Sequence, residues 1–229
     1  GLKFDFSKED AEEDDGYYGD ERERTYDAYN LSEFAFSEAE GFYDMPVIKP
    51  CDVVPDDIIS FNYMLTATNK DVGVHFYIDD YQFERIWNRP DMYIERLKEF
   101  QCAFTPDFSL YLDMPMAMKI WNVYRSRLVG QIMQRRGLNV IPTVSWAEFG
   151  TFQFCFDGLP EESTLSISTI GVKQDPEAMQ IWKDGMDEMI RRLNPKRLLV
   201  YGGKVEYDYG DIEVIYYENA TTERMSNGR

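Results

Sequence analysis

The stretch Val72-Gly73-Val74-His75-Phe76-Tyr77-Ile78-Asp79 decides the fold class of this chain. Successive side chains of a strand point to opposite faces. Val72, Val74, Phe76 and Ile78 therefore share an apolar face, while Gly73, His75, Tyr77 and Asp79 share a small or polar one. The same split recurs along the chain. Ile59 and Phe61 oppose Ser60 and Asn62, and Phe104, Phe108 and Leu110 oppose Thr105, Asp107 and Ser109. Val140, Val144 and Trp146 oppose Ile141, Thr143 and Ser145, and Leu165 and Ile167 oppose Ser166 and Ser168. A flat doubly wound sheet needs apolar side chains on both faces. One polar face on nearly every strand suits a barrel-like or half-barrel sheet, with apolar faces under outer helices and a polar interior.

Between the strands the pattern turns helical. Residues 81–100 read as a helix that Pro90 must break or restart. Residues 115–136 end at Gly137, and residues 176–193 are stopped by Asn194-Pro195. Strands are expected at 58–62, 72–79, 103–111, 139–145, 165–172 and 197–201. Strand and helix alternating at this spacing imply parallel βα units, an α/β fold. A C-terminal β-hairpin is expected over 204–218, turning at Gly210-Asp211. The chain then divides into an acidic aromatic arm (1–47), an α/β core (48–204), and the hairpin with a polar tail (205–229).

Charge is unevenly placed. The formal net charge is -18, and residues 1–45 hold 15 Asp or Glu against 4 Lys or Arg. So acidic a chain repels phosphate, which leaves nucleic acid only a local basic helix to bind. That helix exists: from Met114 to Ala147 there is no acidic residue, while Lys119, Arg125, Arg127, Arg135 and Arg136 are present. Arg125, Arg127, Arg135 and Arg136 are expected to contact phosphate or to dock the acidic arm, in the same molecule or a neighbour. The other expectation is a non-enzymatic interaction protein whose acidic arm binds a basic partner protein or mimics nucleic acid. The arm's aromatics, Phe36 and Phe42 among them, predict that it packs against something. No apolar run spans a bilayer and no signal-peptide pattern is present. Three scattered cysteines without a Cys-x-x-Cys pair fit reduced thiols, so a cytoplasmic setting is expected.

In parallel sheets of this kind the site lies at the C-terminal strand ends. Asp79, Asp107, His75 and Glu148 are the candidate catalytic residues there, with Asn62, Ser145, Trp146 and Tyr201 as substrate contacts. Asp79 and Asp107 would hold Mg²⁺ for phosphoryl chemistry, or act as an acid–base pair on a glycosidic bond with Trp146 or Tyr201 against the sugar ring. Hydrogen-bonded polar core residues are the plain alternative. His75, the chain's single histidine, is a candidate general base if a carboxylate raises its pKa. Asp80, Asp113 and Asp175 precede helices, and each is expected to be an N-cap.

Several stretches occur together in order: His75-Phe76-Tyr77-Ile78-Asp79-Asp80-Tyr81-Gln82-Phe83-Glu84-Arg85-Ile86-Trp87, Thr105-Pro106-Asp107-Phe108-Ser109-Leu110-Tyr111, Ile141-Pro142-Thr143-Val144-Ser145-Trp146, Phe154-Cys155-Phe156 and Tyr201-Gly202. Over about residues 50–218 the chain resembles a family of uncharacterised proteins encoded by Gram-positive bacteria, their phages and conjugative elements. The resemblance implies a mobile-element setting and assigns no catalytic residues.

Overall fold

The computed structural model describes residues 17–218. The densest acidic run of the arm and the polar tail lie outside them. The chain divides into two compact units, Gly1–Phe34 and Ala35–Arg229. In the first, helix α1 (Tyr17–Ala28) is followed at Asn30 by a left-handed residue, φ 52°, and a 3-10 turn over Leu31–Glu33.

The second unit opens with a short antiparallel pair, β1 (Ala39–Glu40) and β2 (Met45–Pro46). The order then runs β3 (Ile58–Ser60), β4 (Gly73–His75), α2 (Glu84–Asn88), α3 (Pro90–Leu97), β5 (Cys102–Phe104) and α4 (Met116–Arg135). It finishes with β6 (Val140–Ile141), β7 (Thr164–Ser168), α5 (Pro176–Leu193), β8 (Arg197–Tyr201) and β9 (Glu213–Tyr217). Pro90 sits at the start of α3, so the expected long helix is split there, where proline lacks the N–H an interior position needs.

Strands β3–β6 form a four-stranded sheet and β7–β9 a three-stranded one, each parallel and in chain order. The two sheets continue into each other through a parallel bridge between Thr143 and Ser166. There Val144 N donates to Ser166 O and Ser166 N to Pro142 O, both at 2.8 Å. The mixed α/β character and parallel pairing are as read from the sequence. Two expectations need correction. No ladder joins β9 to β3 among the described residues, so the sheet is not a closed barrel. Nor is there a C-terminal hairpin: residues 204–209 form no strand, and β9 pairs parallel with β8. The Gly210 turn serves a crossover instead of a tight reversal.

Curvature is nevertheless strong. The Tyr77 and Tyr201 rings stack at 4.8 Å and 7°, and the His75 ring lies 4.6 Å from that of Tyr201. β4 and β8 are not neighbours in the strand order, so this contact requires the inner face to curl round and meet itself. Ile58, Cys102, Phe104, Ile141, Leu199 and Tyr217 complete the inner cluster. Phe104 was expected on the outer face. β5 ends at Phe104, and the Pro106 break lets Asp107 come round to the site although alternation from Phe104 would not put it there.

One end of this interior is filled by residues 51–57. Cys51 N donates to Ser163 Oγ (3.0 Å), Lys196 and Arg197 pair with Asp52 (3.1 and 3.0 Å), and Tyr217 Oη donates to Pro55 O (2.5 Å). Gly73 makes room for this segment, because a Cβ there would stand 2.9 Å from Cys102 Sγ and 3.1 Å from the Pro55 ring. On the outer face Leu165, Ile167, Leu198 and Val200 pack under Trp182, Met186 and Met189 of α5. Each such burial contributes about 1.5–3 kcal/mol. Asp175 caps α5 by accepting from Ala178 N at 2.7 Å, and a left-handed Asn194 ends it.

Helix α4 is buried on most sides, and residues 38–49 strap it from outside. Gln131 Nε2 donates to both Glu38 O and Val47 O at 2.9 Å, and Gln134 brackets the Lys49 backbone. Phe36 and Phe42, expected to be packed, are 77% and 89% exposed. Gln131→Ala strands two strap carbonyls and should lower stability by about 1–2 kcal/mol in urea unfolding. An unmoved midpoint would show that other contacts hold the strap. No helix among the described residues is long and apolar enough to cross a membrane.

Candidate functional site

At the C-terminal ends of β6 and β7, beside the start of α5, lies a cleft of about 370 Å³. Its walls are Leu110, Leu112, Trp146, Ile170 and Trp182, and Ser145, Ser168 and Gln174 supply polar groups. Among the described residues lining it there is no Lys, Arg, Asp or Glu. Both indole N–H groups are already used, Trp146 Nε1 on Ile181 O (3.1 Å) and Trp182 Nε1 on Ser168 O (3.2 Å). Trp146 thus offers ring surface to the cleft, while Trp182, buried in the core, closes it from below.

Asp107 stands directly behind Ser145, whose Oγ donates to Asp107 Oδ1 at 2.5 Å. Burial pushes the Asp107 carboxyl up to about 6; the Ser145 hydrogen bond opposes the rise and the charge of Asp80 adds to it. Tyr77 is the next neighbour. Ser166 Oγ donates to Leu199 O (3.0 Å), so the 2.6 Å contact between Tyr77 Oη and Ser166 Oγ has Tyr77 as donor. Burial raises the phenol's pKa, and the Asp107 charge raises it further. The arrangement is a carboxyl poised near neutrality, separated from an uncharged cleft by one hydroxyl. It suits proton transfer to or from something held against Ser145.

The other expected residues are placed as follows. Asp79 is exposed, and the carboxylate whose charge acts on Asp107 is that of its neighbour Asp80. β4 stops at His75, so alternation cannot be carried as far as residue 79. Asp80 is not a helix cap either: it accepts from Ser109 N (3.0 Å) and Ser109 Oγ (2.6 Å). His75 Nδ1 accepts from Tyr77 N at 3.0 Å, which leaves its proton on Nε2. Burial pulls its pKa down to about 3, opposite to the rise a general-base role was expected to need. Asn62 bonds Ser60, and Tyr201 is taken up in the ring stack.

Glu148 lies next to the cleft wall, paired with the buried Lys119 at 2.5 Å. Burial acts to raise its pKa, but the Lys119 hydrogen bond, the backbone and the Lys119 charge together hold it below the ordinary value. Lys119 was read only as part of the basic run; its 1% exposure is what singles it out. For Mg²⁺ the donors do not fit, because Asp79 is exposed and no group of three or more His, Cys, Asp or Glu among the described residues could hold a metal ion.

The basic helix does not present a phosphate surface. Arg125 pairs with Glu84, Arg135 with Glu38 (2.6 Å) and Arg136 with Asp91. Arg127, 2% exposed, donates to the carbonyls of Asp157 (2.8 Å) and Cys155 (2.5 Å). An acid-free helix in the middle of an acidic protein draws its counter-charges from other elements. Glu38 belongs to the arm, so the arm's C-terminal part docks on α4 within one molecule.

The family profile described as Domain of unknown function (DUF4417) matches residues 37–218. The chain belongs to the DUF4417 family. Its matched region starts inside the arm, at the strap over α4, so the strap is part of the DUF4417 domain. The chain is similar to the Gene 1 protein of Mycobacterium phage L5, 40% identical over 168 residues that make up 72% of this chain and 73% of that protein. It is similar also to the Gene 1 protein of Mycobacterium phage D29, 39% identical over 163 residues, 70% of this chain and 60% of that protein. No solved structure matches the chain.

Proposed function

We propose that this phage-related domain binds an uncharged, ring-bearing ligand of carbohydrate type in the strand-end cleft, and that Asp107 exchanges a proton with it through or beside Ser145. On this reading the curled sheet is a half barrel open at its C-terminal strand ends, working in the reducing cytoplasm. The observation that carries it is that Ser145 both lines the cleft and holds Asp107. The ring surface of Trp146, partly exposed in the cleft, suits the apolar face of a sugar, and Ser145, Ser168 and Gln174 suit its hydroxyls. Cleavage of a glycosidic bond fits better than phosphoryl transfer, because none of the described residues lining the cleft is charged to receive phosphate.

Ligand-observed NMR of the full chain, with neutral mono- and disaccharides set against sugar phosphates, tests this. Neutral sugars should bind and Ser145→Trp should abolish the signal. Preference for the phosphorylated set, or binding that Ser145→Trp leaves intact, would end the reading.

Asp107 also has a stability signature. A carboxyl bound to its proton more tightly in the folded chain than in the unfolded one lowers stability as pH rises from the unfolded value of 3.8 towards about 6. Asp107→Asn should therefore be more stable than the wild type at neutral pH, by about 1–2 kcal/mol after allowing for partial exposure. The difference should vanish in acid. Urea titrations across pH measure it, and a variant less stable at neutral pH would refute it.

A further inference from the structure

The loop between β7 and α5, residues 169–175, has a hollow on each of its two sides. Ile170, Gly171 and Gln174 line the cleft and also a second hollow of about 340 Å³, whose other walls are Thr169, Lys173, Gly203 and Val205. The ridge between them is firmly built. Ile170 N donates to Ser168 Oγ (3.1 Å), Val172 N to Thr169 O (3.2 Å) and Gln174 N to Gly171 O (3.2 Å). Gly171 turns the chain at φ 79°, a left-handed value that glycine adopts without strain. The loop is also tied to the end of β8, where Thr169 N donates to Tyr201 O (3.0 Å) and Thr169 Oγ1 to Gly203 O (2.6 Å). The Gln174 amide lies along Gly171, its Cδ and Nε2 3.7 Å from where a Cβ would stand, so it borders both hollows.

The two sides of the ridge differ in charge. No described residue lining the cleft is charged, whereas Lys173 lines the second hollow and no acidic residue does. Arg125, Arg135, Arg136, Arg191 and Arg192 each meet a carboxylate. Lys173 meets none among the described residues. In a chain of net charge -18, an unclaimed ammonium beside a hollow is a receiving point for an anion. Lysine presents a point charge without the fork of arginine, which one carboxylate matches. We propose that the uncharged ring held in the cleft is one unit of a longer glycan, whose neighbouring unit crosses the 170–174 ridge and sets a carboxylate against Lys173 in the second hollow. This rests on the cleft taking a neutral sugar ring. Gln174, reachable from both sides, bonds the hydroxyls near the linkage.

The test is ligand-observed NMR of the full chain with cellobiose and maltose set against cellobiouronic and maltobiouronic acid. The acid of the preferred pair should bind about two- to fivefold more tightly than its neutral partner, the size of one exposed ion pair. Lys173→Gln should remove that advantage and leave the neutral sugar unchanged. Salt at about 0.5 M should remove it too, because screening then acts within about 4 Å. Gly203→Trp fills the hollow from its far wall, where a Cβ would meet nothing within 4 Å, so the fold should tolerate it. It should weaken both disaccharides and spare glucose. Neutral and acidic sugars that bind equally, or an acid advantage that Lys173→Gln retains, overturn the second subsite and leave the cleft reading standing. An acid lost to Gly203→Trp and kept by Ser145→Trp overturns the two-unit ligand and the cleft together. Binding of no sugar at all also overturns both.

Discussion

Arg127→Ala should lose about 3–5 kcal/mol of stability, enough to threaten folding of a domain whose whole margin is of the order of 5–15 kcal/mol. The guanidinium is 2% exposed and spans from α4 to the loop carrying Cys155 and Asp157. Burial pulls its pKa down to about 10, with Cys155, Asp157 and Glu40 opposing, so it remains charged at neutral pH. Truncation strands two buried carbonyls and opens a cavity at once. Arg127→Met fills most of the volume, removes the buried charge and restores no donor, so its loss should be about half as large. Urea unfolding of the three proteins measures both steps. A cost below about 1 kcal/mol for the alanine variant would mean the loop closes over the gap without its help.

Gly185→Ala should give the opposite sign to the one helix propensity assigns. In an exposed helix this change gains about 1 kcal/mol. At Gly185 a Cβ would fall 1.9 Å from Trp146 Nε1 and 2.1 Å from its Cε2, inside the ring itself. Either α5 moves off the sheet or the indole leaves, breaking its hydrogen bond to Ile181 O and deforming a cleft wall. Overpacking of this kind costs about 1–3 kcal/mol, so a net loss of stability is expected together with a displaced Trp146 indole. Thermal unfolding and Trp fluorescence follow the two effects separately. A variant with a raised melting temperature and unchanged indole emission would contradict the packing described for Trp146.

Much of the fold was legible because strands buried on one face by helices and on the other by a curled interior keep a strict two-residue period. Inward Ser166, outward Leu165 and Ile167, and the ends of α5 follow directly from it. Legibility failed where strands end early. Periodicity continued past His75 pointed to Asp79, and continued past Phe104 it put that ring on the wrong face, because local pattern does not show where a ladder stops. The hairpin expected after Tyr201 failed for another reason: Gly210 marks a turn but does not specify whether the next strand returns beside its predecessor or crosses over to lie parallel. Lys119 and Arg127 looked like surface cations because burial of a charge depends on partners such as Glu148 and the Cys155 carbonyl, more than two dozen residues away. Asp107 and Ser145 were both singled out from sequence, but their contact joins loops after two different strands.

The segment that fills the closed end of the interior has a bearing on how the protein is made. Cys51 waits for a serine 112 residues later, Asp52 for a lysine 144 residues later, and Pro55 for a tyrosine 162 residues later. A growing chain leaves the ribosome with Val53 and Val54 in hand and nothing yet to cover them. Such long-range closure slows folding and lengthens the time that sticky surface is open to chaperones or to self-association. The last of the described strands, β9, is therefore the one that lets the segment ahead of β3 finish folding.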